Sequence, residues 1–222
     1  MYIDSIMTTH VISITEDTHM NEINELIEKH TLLHLPVVNQ SNELLGLVSS
    51  RDIQKALPSE ITTLTVGESN YLLSKITASQ IMSGDLVYCK PETLIEEAAQ
   101  ILRDQSISSL PVLKDGKLVG IVTIEDILDF FLDVTGCRQK DATRIAVRLE
   151  DSTGNLSQFL NKINEMGGYI ISVASPTKSD EEGKRICIVR FYADHPRQVD
   201  EHLRKSGIDF VSENFLSEEN KS

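Results

Sequence analysis

Apolar and polar positions along this 222-residue chain fall into a succession of short elements that occurs twice. Val11-Ile12-Ser13-Ile14 carries a strand signal, and the next segment predicts a helix with Met20, Ile23, Leu26, Ile27 and His30 on one face. The apolar run Leu35-Pro36-Val37-Val38, the polar turn Asn39 to Asn42 and the run ending Gly46-Leu47-Val48 predict a hairpin, with a helix starting near Asp52. The order then returns. Leu86 to Cys89 is a strand signal, and Ile95, Ala98, Ala99 and Leu102 share a helix face opened by the capping pattern Thr93-x-x-Glu96. A hairpin follows around Lys114-Asp115-Gly116, with a last helix near Asp126.

The two successions match residue by residue. Ile6-Met7 recurs as Ile81-Met82, and Leu35-Pro36-Val37 as Leu110-Pro111-Val112. One turn residue is then lost, and Gly46-Leu47-Val48 recurs as Gly120-Ile121-Val122, Asp52-Ile53 as Asp126-Ile127. Two copies of one unit bury their cores against each other, so a pseudo-two-fold pair is expected. The boundaries read as repeat one at 1–60, a connector at 61–74 and repeat two at 75–135, the stretch from Pro58 to Ser74 carrying Pro, Gly, Ser and Thr.

After a linker at 136–142 the pattern changes. Ile145, Val147 and Leu149 alternate as in a half-buried strand, and Leu156, Phe159, Leu160 and Ile163 share a helix face ended by Gly167-Gly168. Strands are predicted at Tyr169 to Val173 and Ile186 to Phe191, a helix opening at Pro196 with Val199 and Leu203 inward, and a strand at Phe210 to Phe215. The order βαββαβ over 143–216 is the ferredoxin-like plan, followed by a polar tail at 217–222. The class is thus mixed α/β (α+β).

Charge narrows the partners. Twenty-one Lys and Arg against 34 Asp and Glu give a net −13, which argues against phosphate-backbone binding and against an anionic membrane surface. Cys89, Cys137 and Cys187 are far apart and form no C-x-x-C pair, as expected of free thiols in a reducing cytoplasm. No apolar run is long enough for a membrane helix. Four of six histidines (His10, His19, His30, His34) lie in repeat one without metal-ligand spacing, and His30 continues an apolar face, so no metal site is expected. No nucleophile elbow, P-loop or paired-carboxylate geometry is visible, so no catalytic residue and no catalytic cofactor is expected.

The segments that carry candidate chemistry are Gly46-Leu47-Val48-Ser49-Ser50-Arg51-Asp52 and Gly120-Ile121-Val122-Thr123-Ile124-Glu125-Asp126. A glycine permits close approach to the backbone, a hydroxyl stands before a helix, and an Asp can accept two ribose hydroxyls. Both are also capping boxes, which need do no more than start a helix. With the Ile-Met pairs and the Leu-Pro-Val strands, these motifs over residues 1 to about 135 resemble the CBS domain, named after cystathionine β-synthase. The resemblance implies adenosine-compound binding, with the Asp on ribose and apolar side chains around adenine. Carried over, site one would comprise Ile12, His34, Val38, Gly46, Ser49, Arg51 and Asp52; site two would comprise Val87, Ser109, Leu113, Gly120, Thr123 and Asp126. Arg51, Lys55, His34 and His10 suit phosphates at site one. Glu125, Asp129, Ser109 and Asp85 at the matching positions suit a less charged ligand, or none, at site two.

In the last segment Asp151-Ser152-Thr153-Gly154-Asn155-Leu156, at the first strand–helix turn of a ferredoxin-like unit, resembles the ACT domain of amino-acid-regulated enzymes. The resemblance implies a ligand site at Asp151, Gly154, Asn155 and Leu156, or a domain that only dimerises. The whole layout is similar to the bacterial CBS–CBS–ACT proteins associated with acetoin utilization. The expectation is a regulatory sensor, homodimeric, with an adenine nucleotide (AMP, ADP, ATP or S-adenosylmethionine) as regulatory ligand. A dimerising scaffold with empty sites is the alternative, and an enzyme a more distant one.

Overall fold

In the computed structural model, the structure describes residues 1–56, 71 and 74–214. The chain divides into two units, Met1–Leu128 and Asp129–Ser222. The expected connector at 61–74 and the tail at 217–222 lie almost wholly outside the described residues.

In the first unit, each repeat is a helix followed by a two-stranded antiparallel hairpin and a second helix, the last of which runs on past Leu128. Repeat one has α1 (Met20–His30), β1 (His34–Val38), β2 (Leu44–Ser49) and α2 (Ser50–Ala56). Repeat two has α4 (Ile95–Gln105), β3 (Ser109–Lys114), β4 (Lys117–Thr123) and α5 (Ile124–Val134), preceded by the short α3 (Ala78–Ile81). The hairpins share one register: His34 faces Ser49 and Val37 faces Gly46, as Ser109 faces Thr123 and Val112 faces Gly120. Both α1 and α4 end on a left-handed residue, Thr31 and Ser106, each closing the last turn with its amide.

The strands expected at 11–14 and 86–89 shrink to single bridges, Ile14 with Val37 and Cys89 with Val112, each parallel to its own hairpin. Ile14 accepts from Val38 N–H at 2.8 Å and donates to Pro36 O at 2.9 Å. Pro36 and Pro111 accept through their carbonyls, Val38 and Leu113 return the bond, and the prolines have no N–H to extend the pairing by a further step. His30, expected at the edge of the core, is exposed in the last turn of α1. The capping box of α4 is shifted by one residue. Glu97 accepts from Leu94 N–H at 3.2 Å, while the Thr93 hydroxyl accepts from Lys90 N–H.

The lead-in segments are exchanged between repeats. Residues 76–82, at the start of repeat two in the chain, complete the core of repeat one. Ala78 is fully buried there among Met20, Ile23, Leu35 and Val48, with Ile76, Ile81 and Met82 packed around them. Met20 N–H donates to Ile76 O and Ala78 N–H to Thr18 O. Conversely, Ile3 is fully buried, its N–H donates to Thr93 O, and Ile95 N–H donates to Met1 O in repeat two. The exchange continues to the hairpins: Ser83 pairs with Leu47, and Thr8 with Ile121.

This exchange explains the two motif glycines. A Cβ at Gly46 would lie 2.6 Å from Met82 Sδ and 2.9 Å from its Cγ; one at Gly120 would lie 2.6 Å from Met7 Sδ and 3.2 Å from Thr8 O. The glycines give way to a thioether of the other repeat's lead-in, where the sequence reading expected a base or ribose.

The second unit has β5 (Thr143–Glu150), α6 (Asn155–Glu165), β6 (Tyr169–Ala174), β7 (Lys184–Tyr192), α7 (Pro196–Lys205) and β8 (Asp209–Asn214). Its antiparallel sheet has the order β6-β7-β5-β8, the ferredoxin-like arrangement. The alternation read along β5 puts Ile145 and Val147 in a core with Phe159 and Ile163 of α6, Val189 and Phe191 of β7, and Val199 and Leu203 of α7.

Candidate functional site

Pairing of His34 with Ser49 across β1 and β2 puts the first residue of one strand beside the last of the other, at the point where α2 begins. There Ser49 and Asp52 lock together. Ser49 N–H and Oγ–H donate to Asp52 Oδ2 at 2.9 and 2.5 Å, and Asp52 N–H donates to Ser49 Oγ at 3.2 Å. Thr123 and Asp126 repeat the arrangement at 2.8, 2.8 and 3.3 Å. Both motifs are therefore working capping boxes. One carboxylate oxygen is spent on the cap. The other, Asp52 Oδ1, lies 3.9 Å from the exposed Lys55 Nζ.

Asp52 opens into a cavity of about 160 Å³ with His34 and Ser49 from repeat one and Ser83, Asp85, Val87 and Ser109 from repeat two. Its neighbour, of about 610 Å³, shares His34, Ser49 and Ile107 with it and is lined further by Arg51, Arg103 and Ser106. Ser109 is 3% exposed, and its Oγ is the buried side-chain polar atom without a hydrogen-bond partner among the described residues. A buried hydroxyl of that kind costs free energy until something fills its bonding capacity. His34 is half-buried. Desolvation pulls its pKa below the ordinary value, and the Asp52 and Glu125 carboxylates oppose that pull.

The membership of this cluster differs from the sequence grouping. His34, Ser49, Arg51 and Asp52 of the expected site one do gather, but Val87 and Ser109, grouped with site two, line the same cavity. The cause is the exchange of lead-ins: Ser83 pairs with Leu47 and carries Asp85 and Val87 to Asp52. Ile12 packs against the repeat-one core. Val38 pairs with Leu44 at the far end of the hairpin, four residues or roughly 13 Å from His34. Leu113 is likewise remote from Thr123 in register. It lines a separate cavity of about 420 Å³ with Tyr88, Lys90 and Lys114. Ser83, Ile107 and Arg103 belonged to neither expected group, and Asp85, expected on the site-two side, lines the Asp52 cavity instead. For Arg103 the available signal was the repeat alignment, which sets it against Glu28.

In the second unit, the expected ligand residues are engaged with the protein. Asp151 pairs with Arg185 at 3.3 Å and accepts from Ser179 Oγ at 2.5 Å. Gly154 adopts φ +92° as the N-cap of α6, which explains the glycine. Asn155 Nδ2 donates to Glu150 O and Ser152 Oγ, and Leu156 packs on the core. A cavity of about 300 Å³ lies beside α6, lined by Arg148, Glu150, Asn155, Lys162 and Lys184; of the four expected residues it includes Asn155 alone. Among the described residues, no group of three His, Cys, Asp or Glu side chains is placed to hold a metal ion, and no helix is long and apolar enough to cross a membrane.

The family model for the CBS domain matches residues 3–59 and 78–133, just over half of the chain. The chain belongs to the CBS-domain family. Among curated relatives, a homoserine O-acetyltransferase from Methanohalobium evestigatum is 32% identical over 127 residues, covering 57% of this chain and 23% of that protein. The shared part is thus under a quarter of the enzyme's length. Among solved structures, AcuB from Vibrio cholerae, assigned to acetoin utilization, is 25% identical with a TM-score of 0.53, covering 63% of this chain and 96% of that one. Protein MJ1225 from Methanocaldococcus jannaschii is 26% identical with a TM-score of 0.52, covering 59% and 47%. CBS-domain proteins are in general regulatory rather than catalytic. CBSX2, solved in complex with AMP, shares the fold at 22% identity and a TM-score of 0.50.

Proposed function

We propose that this protein is a regulatory sensor whose CBS pair binds an adenine nucleotide in the cavity headed by Asp52. The observation that carries the reading is the orphaned Ser109 hydroxyl, buried in a cavity that also presents a carboxylate and an apolar wall. A nucleoside supplies what is missing there: hydroxyls for Asp52 Oδ1, a polar partner for Ser109, and a flat base against Val87 and Ile107. Because the cavity is built from both repeats, a ligand that prefers one relative placement of them shifts that equilibrium.

The second unit is read as an ACT domain on its βαββαβ order and its Gly154 turn, with an amino acid or a protein partner receiving the signal. The likeness to the Vibrio cholerae protein supports a place in acetoin utilization. Assembly as a homodimer is supported by α5, where Ile124, Leu128, Phe131 and Val134 are 40 to 60% exposed, an apolar face that a second copy would cover.

Thermal denaturation tests the reading. AMP, ATP or S-adenosylmethionine at a concentration well above its dissociation constant raises the midpoint of the wild-type protein and not of Asp52→Ala. A midpoint that none of the three moves favours a dimerising scaffold with empty sites.

A further inference from the structure

The 610 Å³ cavity next to the Asp52 pocket has an electrical character that the pocket lacks. Asp52 and Asp85 line the smaller space, whereas Arg51 of α2 and Arg103 of α4 line the larger one, with His34 and Ser49 shared between them. The two guanidiniums come from different repeats. Arg103 Nε and Nη2 both donate to Asp104 Oδ1, at 2.9 and 2.7 Å, across a surface that leaves the Arg103 side chain 80% exposed. An exposed pair of neighbouring residues is worth little, so the guanidinium is available to a better anion. At the corresponding positions of the other repeat stand Glu125 in place of Arg51 and Glu28 in place of Arg103. Against the lowering by burial, Glu125 lies close enough to His34 to raise its pKa, so the two guanidiniums also offset a nearby carboxylate.

Resting on the nucleotide reading above, we infer that Arg103 is a specificity-determining residue. With Arg51 it holds the terminal phosphates of a nucleoside di- or triphosphate whose nucleoside lies in the Asp52 pocket. The dimensions agree. The two spaces, about 160 and 610 Å³, share His34, Ser49 and Ile107 in their linings, and together they fall in the size range of small-molecule sites. Guanidinium matches phosphate oxygens in a planar two-point geometry that an ammonium lacks. A ligand held at one end by α2 and at the other by α4 ties the repeats together. A monophosphate, ending near Ser49, does so less.

The test is competition binding with ATP, ADP and AMP in magnesium-free buffer, on the full chain and on Arg103→Gln, Arg103→Lys and Asp52→Asn. The expected result is that ATP binds the wild-type protein about tenfold or more tightly than AMP, by one or two charge-assisted hydrogen bonds. Arg103→Gln brings the ratio close to one with AMP affinity little changed, and Arg103→Lys keeps part of it. Asp52→Asn weakens all three together. Circular dichroism confirms that the exposed substitution leaves the fold intact. If all three bind, Asp52→Asn weakens them, and the ATP-to-AMP ratio is the same in Arg103→Gln as in wild type, the Arg103 assignment is overturned and the nucleotide reading stands. If none binds, both are overturned.

Discussion

Gly46 and Met82 form a contact that makes the exchange of lead-ins measurable. An alanine at position 46 places its Cβ 2.6 Å from Met82 Sδ, 2.9 Å from Cγ and 3.0 Å from Cβ. Rotating the thioether tip relieves the first contact but not the third, so the lead-in backbone has to move. Overpacking of this kind costs about 1–3 kcal/mol. Against that, Gly46 sits in β2 without a positive φ, so alanine there recovers roughly 0.5–1 kcal/mol of unfolded-chain entropy. The net expectation is a loss of about 0–2.5 kcal/mol, centred near 1, or a urea midpoint lower by roughly 0.5 M at a slope near 2 kcal/mol per molar. The deciding assay is a double-mutant cycle followed by far-ultraviolet circular dichroism. In a Met82→Ala background the sulfur and Cγ are gone and only the 3.0 Å Cβ contact remains, so Gly46→Ala costs clearly less, a coupling of about 1 kcal/mol or more. The mirrored pair is expected to rescue less fully, because Gly120 also faces the Thr8 carbonyl at 3.2 Å. An equal loss from Gly46→Ala in both backgrounds would refute the packing of the second lead-in on the first hairpin.

Four further outcomes are expected. Ser109→Ala removes a buried hydroxyl that has no partner, so the ligand-free protein gains about 1 kcal/mol while the rise in melting temperature caused by ATP shrinks; calorimetric scans with and without nucleotide read both. His34 has its pKa held below 6.5 by burial, so the unfolded chain binds this proton more tightly and stability falls as pH drops below 6.5; His34→Gln flattens that part of a urea-midpoint profile between pH 7 and pH 5. Cys89 and Cys187 are buried with thiols pushed up to about 11, whereas Cys137 is exposed; brief alkylation at pH 8 followed by mass spectrometry labels Cys137 and spares the other two until the protein is unfolded. Phe159→Ala empties the middle of the second unit's core, with an expected cost of about 3–5 kcal/mol in denaturant titration.

Much of the fold was legible because its signals are local. The alternation at Ile145, Val147 and Leu149 and the spacing of Phe159 and Ile163 each depend on one element's own periodicity, and each ends in the core it implied. The hairpin turns were equally local: Asp115 and Gly116 adopt the positive φ their residue types favour. Self-similarity then supplied the pairing of the repeats. What the sequence could not convey is which copy each lead-in serves. Ile6-Met7 and Ile81-Met82 are interchangeable as patterns, and only the three-dimensional exchange sends Val87 and Asp85 to Asp52. The same limit hid Arg103. As a single charged residue near the end of α4 it has no local signature, and its meaning arises from lying across a cavity from Arg51. Val38 and Leu113 misled for a further reason: strand alternation gives the face of a residue but not its distance along the strand from a helix start.

The most direct test of the account is calorimetric titration of the purified full chain with ATP, with Asp52→Ala and Asp126→Ala alongside. The account predicts saturable binding that Asp126→Ala leaves in place and Asp52→Ala abolishes. Binding that survives Asp52→Ala and disappears in Asp126→Ala would contradict it, and so would the absence of binding in the wild-type protein.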